Sequence, residues 1–114
     1  FTSGDTRWAH AAAVPDCEGT PGCVAGQPQA ATVTPGLVFS GSMDGHMRIY
    51  RAADGVVVWD YDANREYATV NGVKGRGGSF SGGSATVVDG MVFVTSGYGI
   101  FGIAGNVLLA FGPP

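Results

Sequence analysis

Positive charge is scarce in this chain. Six Lys and Arg residues stand against nine Asp and Glu, and Lys74 is the only lysine. Without a basic stripe, nucleic acid is not an expected partner. Long apolar runs are missing too: stretches such as "VLLAF" (107–111) are far too short to cross a bilayer, so no transmembrane segment is expected. No charged n-region precedes an apolar h-region, and the chain opens on Phe1 rather than an initiator Met. It is therefore expected to be a processed product or a piece of something longer. Sustained helical periodicity is also absent, and only "WAHAAAV" (8–14) reads as one helical turn before Pro15.

Several chemistries are missing as well. No serine lies in a G-x-S-x-G elbow. His10 and His46 are far apart and lack spaced Cys or acidic companions, so no metal box is expected. Asp44, Asp54 and Asp89 occupy turn positions, where Asp serves the backbone, and none is an evident general base. No catalytic residue is assigned. Cys17 and Cys23 are the only cysteines and do not form C-x-x-C-H, which excludes covalent haem. They enclose "EGTPG", a loop that two sulfurs could close, and a disulfide is expected rather than two buried thiols. That pairing implies an oxidising compartment, periplasmic or secreted.

What the chain does have is glycine, 20 residues of it, interleaved with Val, Phe, Ile and Tyr. With apolar residues at 45% and a length of 114, this describes one modest β-rich domain of short strands and tight turns. Comparing the chain with itself shows how the strands are grouped. "AATVTPGLVF" (30–39) lies over "SATVVDGMVF" (84–93) at an offset of 54 residues. Each block runs through a Ser/Gly turn into a second strand, "GHMRIY" from Gly45 and "GNVLLAF" from Gly105, the second copy carrying six extra residues around "GYGIFG". A period near 50 made only of strands and turns points to propeller blades. Strands are expected near 30–34, 36–42, 46–52, 56–61, 84–88, 90–96 and 105–111.

Within the first copy, "IYRAADGVVVW" resembles the tryptophan-docking motif of pyrroloquinoline-quinone (PQQ) enzyme repeats. There a small residue, a turn glycine and a Trp four positions later close each blade. Gly55 and Trp59 fill the last two places, while Arg51 and Asp54 depart from the usual Asp and Thr. Residues 30 to 111, including "ATVNG" and the "SGYG…GNVLLAF" ending, resemble the C-terminal end of polyvinyl-alcohol dehydrogenases and related PQQ-binding-like propellers.

The resemblance implies an all-β fold: antiparallel quinoprotein-type blades, about two of them, in an incomplete propeller. It divides the chain into an irregular leader (1–29), a blade with the docking motif (30–72), and a glycine-rich loop with a partial last blade (73–114). Trp59 is expected as a largely buried wedge between blades, and Trp8 lies outside the repeat without an assigned place. The family oxidises alcohols with PQQ, assisted by Ca²⁺, and passes electrons to a cytochrome c. No residue here is assigned to Ca²⁺. Arg76, beside Lys74 in "VKGRGGSFSGGS" (73–84), is a candidate for a PQQ carboxylate, because Arg pairs with carboxylates bidentately. A solvated inter-blade loop is the plainer reading. "GYGIFG" (97–102) satisfies G-x-G-x-x-G but has no following helix pattern or later acid, so it reads as a loop between strands.

Three readings of function follow. The chain is the C-terminal portion of a PQQ-dependent alcohol dehydrogenase, inactive by itself; or a non-catalytic docking subunit; or a free-standing β-domain. Partners are expected along exposed blade edges, either the remainder of the propeller or other chains.

Overall fold

Two glycine turns at equivalent places in the repeat start the architecture. In the first copy, Pro35 and Gly36 (φ +79°) make a turn of the type in which Pro presets the first central residue and glycine supplies the positive φ. In the second, Asp89 (φ +50°) and Gly90 (φ +72°) are both left-handed, the primed turn whose twist suits a hairpin. Strands flank both turns. The computed structural model describes residues 2–12, 17 and 19–114, which contain nine strands and no helix.

The first sheet is a four-stranded antiparallel meander of β1 (Thr32–Thr34), β2 (Leu37–Gly41), β3 (His46–Arg51) and β4 (Val57–Asp62). A two-stranded ribbon of β5 (Glu66–Tyr67) and β6 (Gly75–Arg76) follows. The second sheet repeats the pattern with three strands, β7 (Thr86–Val88), β8 (Met91–Ser96) and β9 (Val107–Phe111). All seven expected strands form, with ends within two residues of those expected; the ribbon was not anticipated, because two-residue strands carry no periodicity. Residues 8–12 are irregular rather than helical, and the rest of the expected helical turn, 13–14, lies outside the described residues.

Strand register corrects one expectation. Val38 faces Tyr50 in the first sheet and Val92 faces Phe111 in the second. The first strand of each pair is thus offset by 54 and the second by 61, so the second copy carries seven extra residues, not six. The difference matters, because a one-residue slip sends every side chain to the other face. It makes Phe111 the counterpart of Tyr50, and Ala110 the counterpart of Ile49.

Opposed residues share a face, so Phe39, Met47, Ile49, Trp59 and Tyr61 all point one way from the first sheet. They meet Val92, Val94, Val107, Leu109 and Phe111 of the second sheet, and the core lies between the two blades. Phe80, brought in by the glycine-rich segment, is fully buried there with Met47. Burying a side chain of this kind stabilises by roughly 1.5–3 kcal/mol. Gly41 permits it: a Cβ there would lie 2.3 Å from the Phe80 Cβ. Buried Gln29 bridges the blades, donating from Nε2 to the Gly83 carbonyl (3.0 Å) and accepting from the Gly41 N–H (2.8 Å).

The leader is tied down rather than loose. Cys17 and Cys23 are joined in a disulfide. The Met43 N–H donates to the Gly26 carbonyl (2.9 Å), and Gly22 lies so close to the Gly102 carbonyl that a Cβ would sit 2.1 Å from it. The leader therefore contacts loops of both blades.

Candidate functional site

The turn between β3 and β4 is built around Gly55, which is buried at φ +74°. Its N–H donates to the Arg51 carbonyl (2.8 Å), and the Arg51 N–H donates to the Val56 carbonyl (2.8 Å). The departures from the family pattern form a pair: Arg51 Nη2 meets Asp54 Oδ2 at 2.7 Å and Nε meets Oδ1 at 2.9 Å. The Arg51 hydrogen bonds hold the Asp54 carboxyl below its usual range.

Trp8 sits on this turn. Its ring leaves no room for a Cβ on Gly55, which would lie 2.6 Å from Trp8 Cε3, and its indole N–H donates to the Ala52 carbonyl at 2.8 Å. The ring also stacks on Tyr50, centroids 6.2 Å apart and planes 19° apart. Sequence reasoning left Trp8 unplaced, since 44 residues separate it from Ala52. A usable signal was there: Trp8 and Trp59 lie 51 residues apart, close to the repeat length.

Trp59 is half-buried, not largely buried as expected. It stacks on Tyr61 (5.6 Å, 12°) and meets the edge of Phe111 (5.2 Å, 77°). Beside it a cavity of about 530 Å³ opens between Phe39 and Ile49 on one blade and Val92, Ala110 and Phe111 on the other. The cause lies in the second sheet, which among the described residues has three strands where the first has four.

At the β2–β3 loop the sequence suggested only turn aspartates. Asp44 does serve the turn, accepting from the His46 N–H (3.1 Å), but its carboxylate is also buried against Arg48 Nη2 at 3.0 Å. Burial pushes the Asp44 carboxyl up; Arg48, the Ser42 hydroxyl and the His46 N–H outweigh this and hold it below its ordinary value. Arg48 also reaches Asp60 (Nε to Oδ2, 3.1 Å), and Asp60 Oδ1 lies 2.6 Å from His46 Nδ1. This is an ion network crossing from a loop to the strands β3 and β4. Among the described residues no three His, Cys, Asp or Glu side chains converge as metal ligands.

The two glycine-rich segments are separate features. Arg76 is exposed; its guanidinium donates to Asn64 Oδ1 (3.1 Å) and its N–H to Asn106 Oδ1 (2.8 Å). Lys74 pairs with Glu66 at 3.5 Å, also at the surface. "GYGIFG" forms the loop between β8 and β9 and leads into a strand, as expected. With Met43, Ser81 and residues 24–28 it lines an apolar cleft of about 740 Å³.

An alignment of 93 residues, covering 73% of this chain, is 44% identical to a polyvinylalcohol dehydrogenase of Pseudomonas sp. Another of 94 residues, again 73% of the chain, is 39% identical to a polyvinylalcohol dehydrogenase of Sphingopyxis sp. (strain 113P3). Over this stretch the chain is related to polyvinylalcohol dehydrogenase. It spans 15% and 14% of the lengths of these two relatives. No family model and no solved structure matches it. Polyvinylalcohol dehydrogenase-type sequence here thus supplies two packed antiparallel sheets and the tryptophan seat on Gly55.

Proposed function

We propose that this chain is the blade-forming portion of a PQQ-dependent alcohol dehydrogenase of the polyvinylalcohol type, supplying scaffold rather than reacting groups. The observation that carries the reading is Trp8 on Gly55 with its N–H on the Ala52 carbonyl, in a chain of which 73% aligns with one of those enzymes. Such packing organises adjacent blades and performs no chemistry. The enzyme oxidises an alcohol to a carbonyl and delivers electrons to a cytochrome c, and it works outside the cytoplasm, where a disulfide such as Cys17–Cys23 persists.

The described residues do not fit PQQ on their own. Its three carboxylates call for several converging cations, and Arg76 and Lys74 are surface groups engaged with Asn64 and Glu66. Nor is there a ligand cluster for Ca²⁺ among the described residues.

The test is a chimera in which residues of this chain replace the aligned segment of the Pseudomonas relative, loaded with PQQ and Ca²⁺ and assayed by dye reduction on polyvinyl alcohol. The chimera is expected to turn over and the isolated chain to be inactive. A folded, PQQ-bound chimera without turnover, or turnover by the chain alone, overturns the reading.

A further inference from the structure

An apolar cleft of about 740 Å³ separates the leader from the β8–β9 loop. One wall is the leader strip 24–28, the floor is Met43, and the other wall is the loop with Ser81 and Gly82. None of the described residues lining it is charged. The volume is that of a small-molecule site, and an ion entering it would lose water without gaining a counter-charge. The floor is fixed: the buried Ser79 hydroxyl donates to the Met43 carbonyl, and the Met43 N–H donates to the Gly26 carbonyl.

The loop wall is built differently. Its two ends are tied to Ser79, the Gly97 N–H donating to the Ser79 carbonyl (2.9 Å) and the Ile103 N–H to the Ser79 hydroxyl (2.7 Å). Gly97 (φ +91°) and Gly102 (φ +103°) flank the span as left-handed pivots. Between them, residues 98–101 make no backbone hydrogen bond to any described residue. The span holds Ile100 at 94% and Phe101 at 78% exposure, apolar surface that burial would favour. Beneath it the Ser81 hydroxyl oxygen is buried and has no hydrogen-bond partner among the described residues. Gly99 covers that oxygen so closely that a Cβ would lie 2.1 Å from it. Buried polar atoms are nearly always paired, so this hydroxyl, behind a loop without backbone bonds, is one that a ligand oxygen can satisfy.

We propose that this cleft binds an uncharged carbon chain bearing spaced hydroxyl groups, a run of a secondary-alcohol polymer, and that residues 98–101 close over it. Rotation about Gly97 and Gly102 lifts Gly99 from Ser81 and lays Ile100 and Phe101 on the methylene groups of the chain. One chain hydroxyl then pairs with the Ser81 hydroxyl, and the closed loop keeps water out. The choice of an alcohol chain rests on the function proposed above; the site itself rests on Ser81 and the loop.

The probe is a short vinyl-alcohol oligomer titrated into the isotope-labelled whole chain and followed by amide chemical shifts. Shifts are expected at residues 24–28, Met43, Ser81 and 98–103, with the β3–β4 turn unmoved. Ser81→Ala should weaken binding about 2- to 10-fold, the worth of one hydrogen bond. Ile100→Ser with Phe101→Ser, at exposed positions that do not carry the fold, should weaken it about 10-fold or more. A polyacrylate of equal length, with the same carbon backbone but charged, should not bind. Three outcomes overturn the proposal: no cleft shifts up to the solubility limit of the oligomer, equal binding of the polyacrylate, or unaltered affinity in both variants. Cleft shifts that grow with protein concentration alone also overturn it, since a second copy would then be the occupant. Binding is read without turnover, so an inactive chimera leaves this site standing, and an active chimera whose cleft ignores the oligomer removes the site alone.

Discussion

Gly55 is where one missing side chain decides most. Its φ of +74° costs an L-residue about 1–2 kcal/mol, and a methyl there would also enter the Trp8 ring, 2.6 Å away. Gly55→Ala is expected to destabilise the chain by about 2–3 kcal/mol and to red-shift the tryptophan emission as Trp8 leaves its seat. Unaltered emission with unaltered stability would show the contact to be dispensable. Trp59 needs a smaller figure than the sequence alone suggested. A fully buried aromatic lost to alanine costs about 3–5 kcal/mol, and Trp59 is half-buried. Trp59→Ala should cost about half that range in denaturant unfolding. A loss of the full range would mean that Trp59 is better covered in solution than its cleft implies.

At the scale of elements, the β2–β3 loop is fastened to β3 and β4 by charge. Asp44 and Arg48 form a buried pair, and Arg48 continues to Asp60 and His46. Because the folded chain holds the Asp44 carboxyl below its ordinary value, the pair adds stability above the unfolded-state value. That contribution is lost as pH falls through the lower folded-state value. Urea titrations between neutral pH and strong acid should show the loss beginning near pH 4. Asp44→Asn should remove this part of the acid sensitivity and cost about 3 kcal/mol at neutral pH, since it leaves Arg48 buried without its closest counter-charge. An Asn variant with the wild-type acid profile would show that another carboxylate governs it. The ribbon β5–β6 is fastened differently, by the Tyr61 and Tyr67 hydroxyls 3.1 Å apart, with burial and then Tyr61 raising the Tyr67 phenol.

Over the whole molecule the leader acts as a clamp. The disulfide-closed loop puts Gly22 against Gly102 in the second blade, and Gly26 holds Met43 in the first. Opening the ring releases a segment that touches both blades. Cys17→Ser with Cys23→Ser is expected to lower stability by about 2–3 kcal/mol, the loop-entropy value for a short ring. It should also raise proteolysis in residues 17–26 before the strands are cut. Non-reducing mass spectrometry checks the premise, since the native chain should be two hydrogens lighter than the reduced one. Two thiols that alkylate in the native chain would refute it.

Seven of the nine strands and their grouping into two repeats were legible from residues alone, because alternation, turn glycines and the 54-residue repeat are local or internal signals. The expected disulfide was legible for the same reason: its two cysteines are the only pair and close one short loop. Relations across the repeat were not. The partner of Trp8 lies on a turn 44 residues away, and the partner of Trp59 on a strand reached only after a loop of irregular length. The seven-residue insertion was misjudged by one because a loop has no period with which to count it. Asp44 read as an ordinary turn residue, since its burial against Arg48 arises only when β3 and β4 close beneath the loop. Local backbone preference and repetition determined the elements; the packing of one blade on the other decided which tryptophan is satisfied and which remains open.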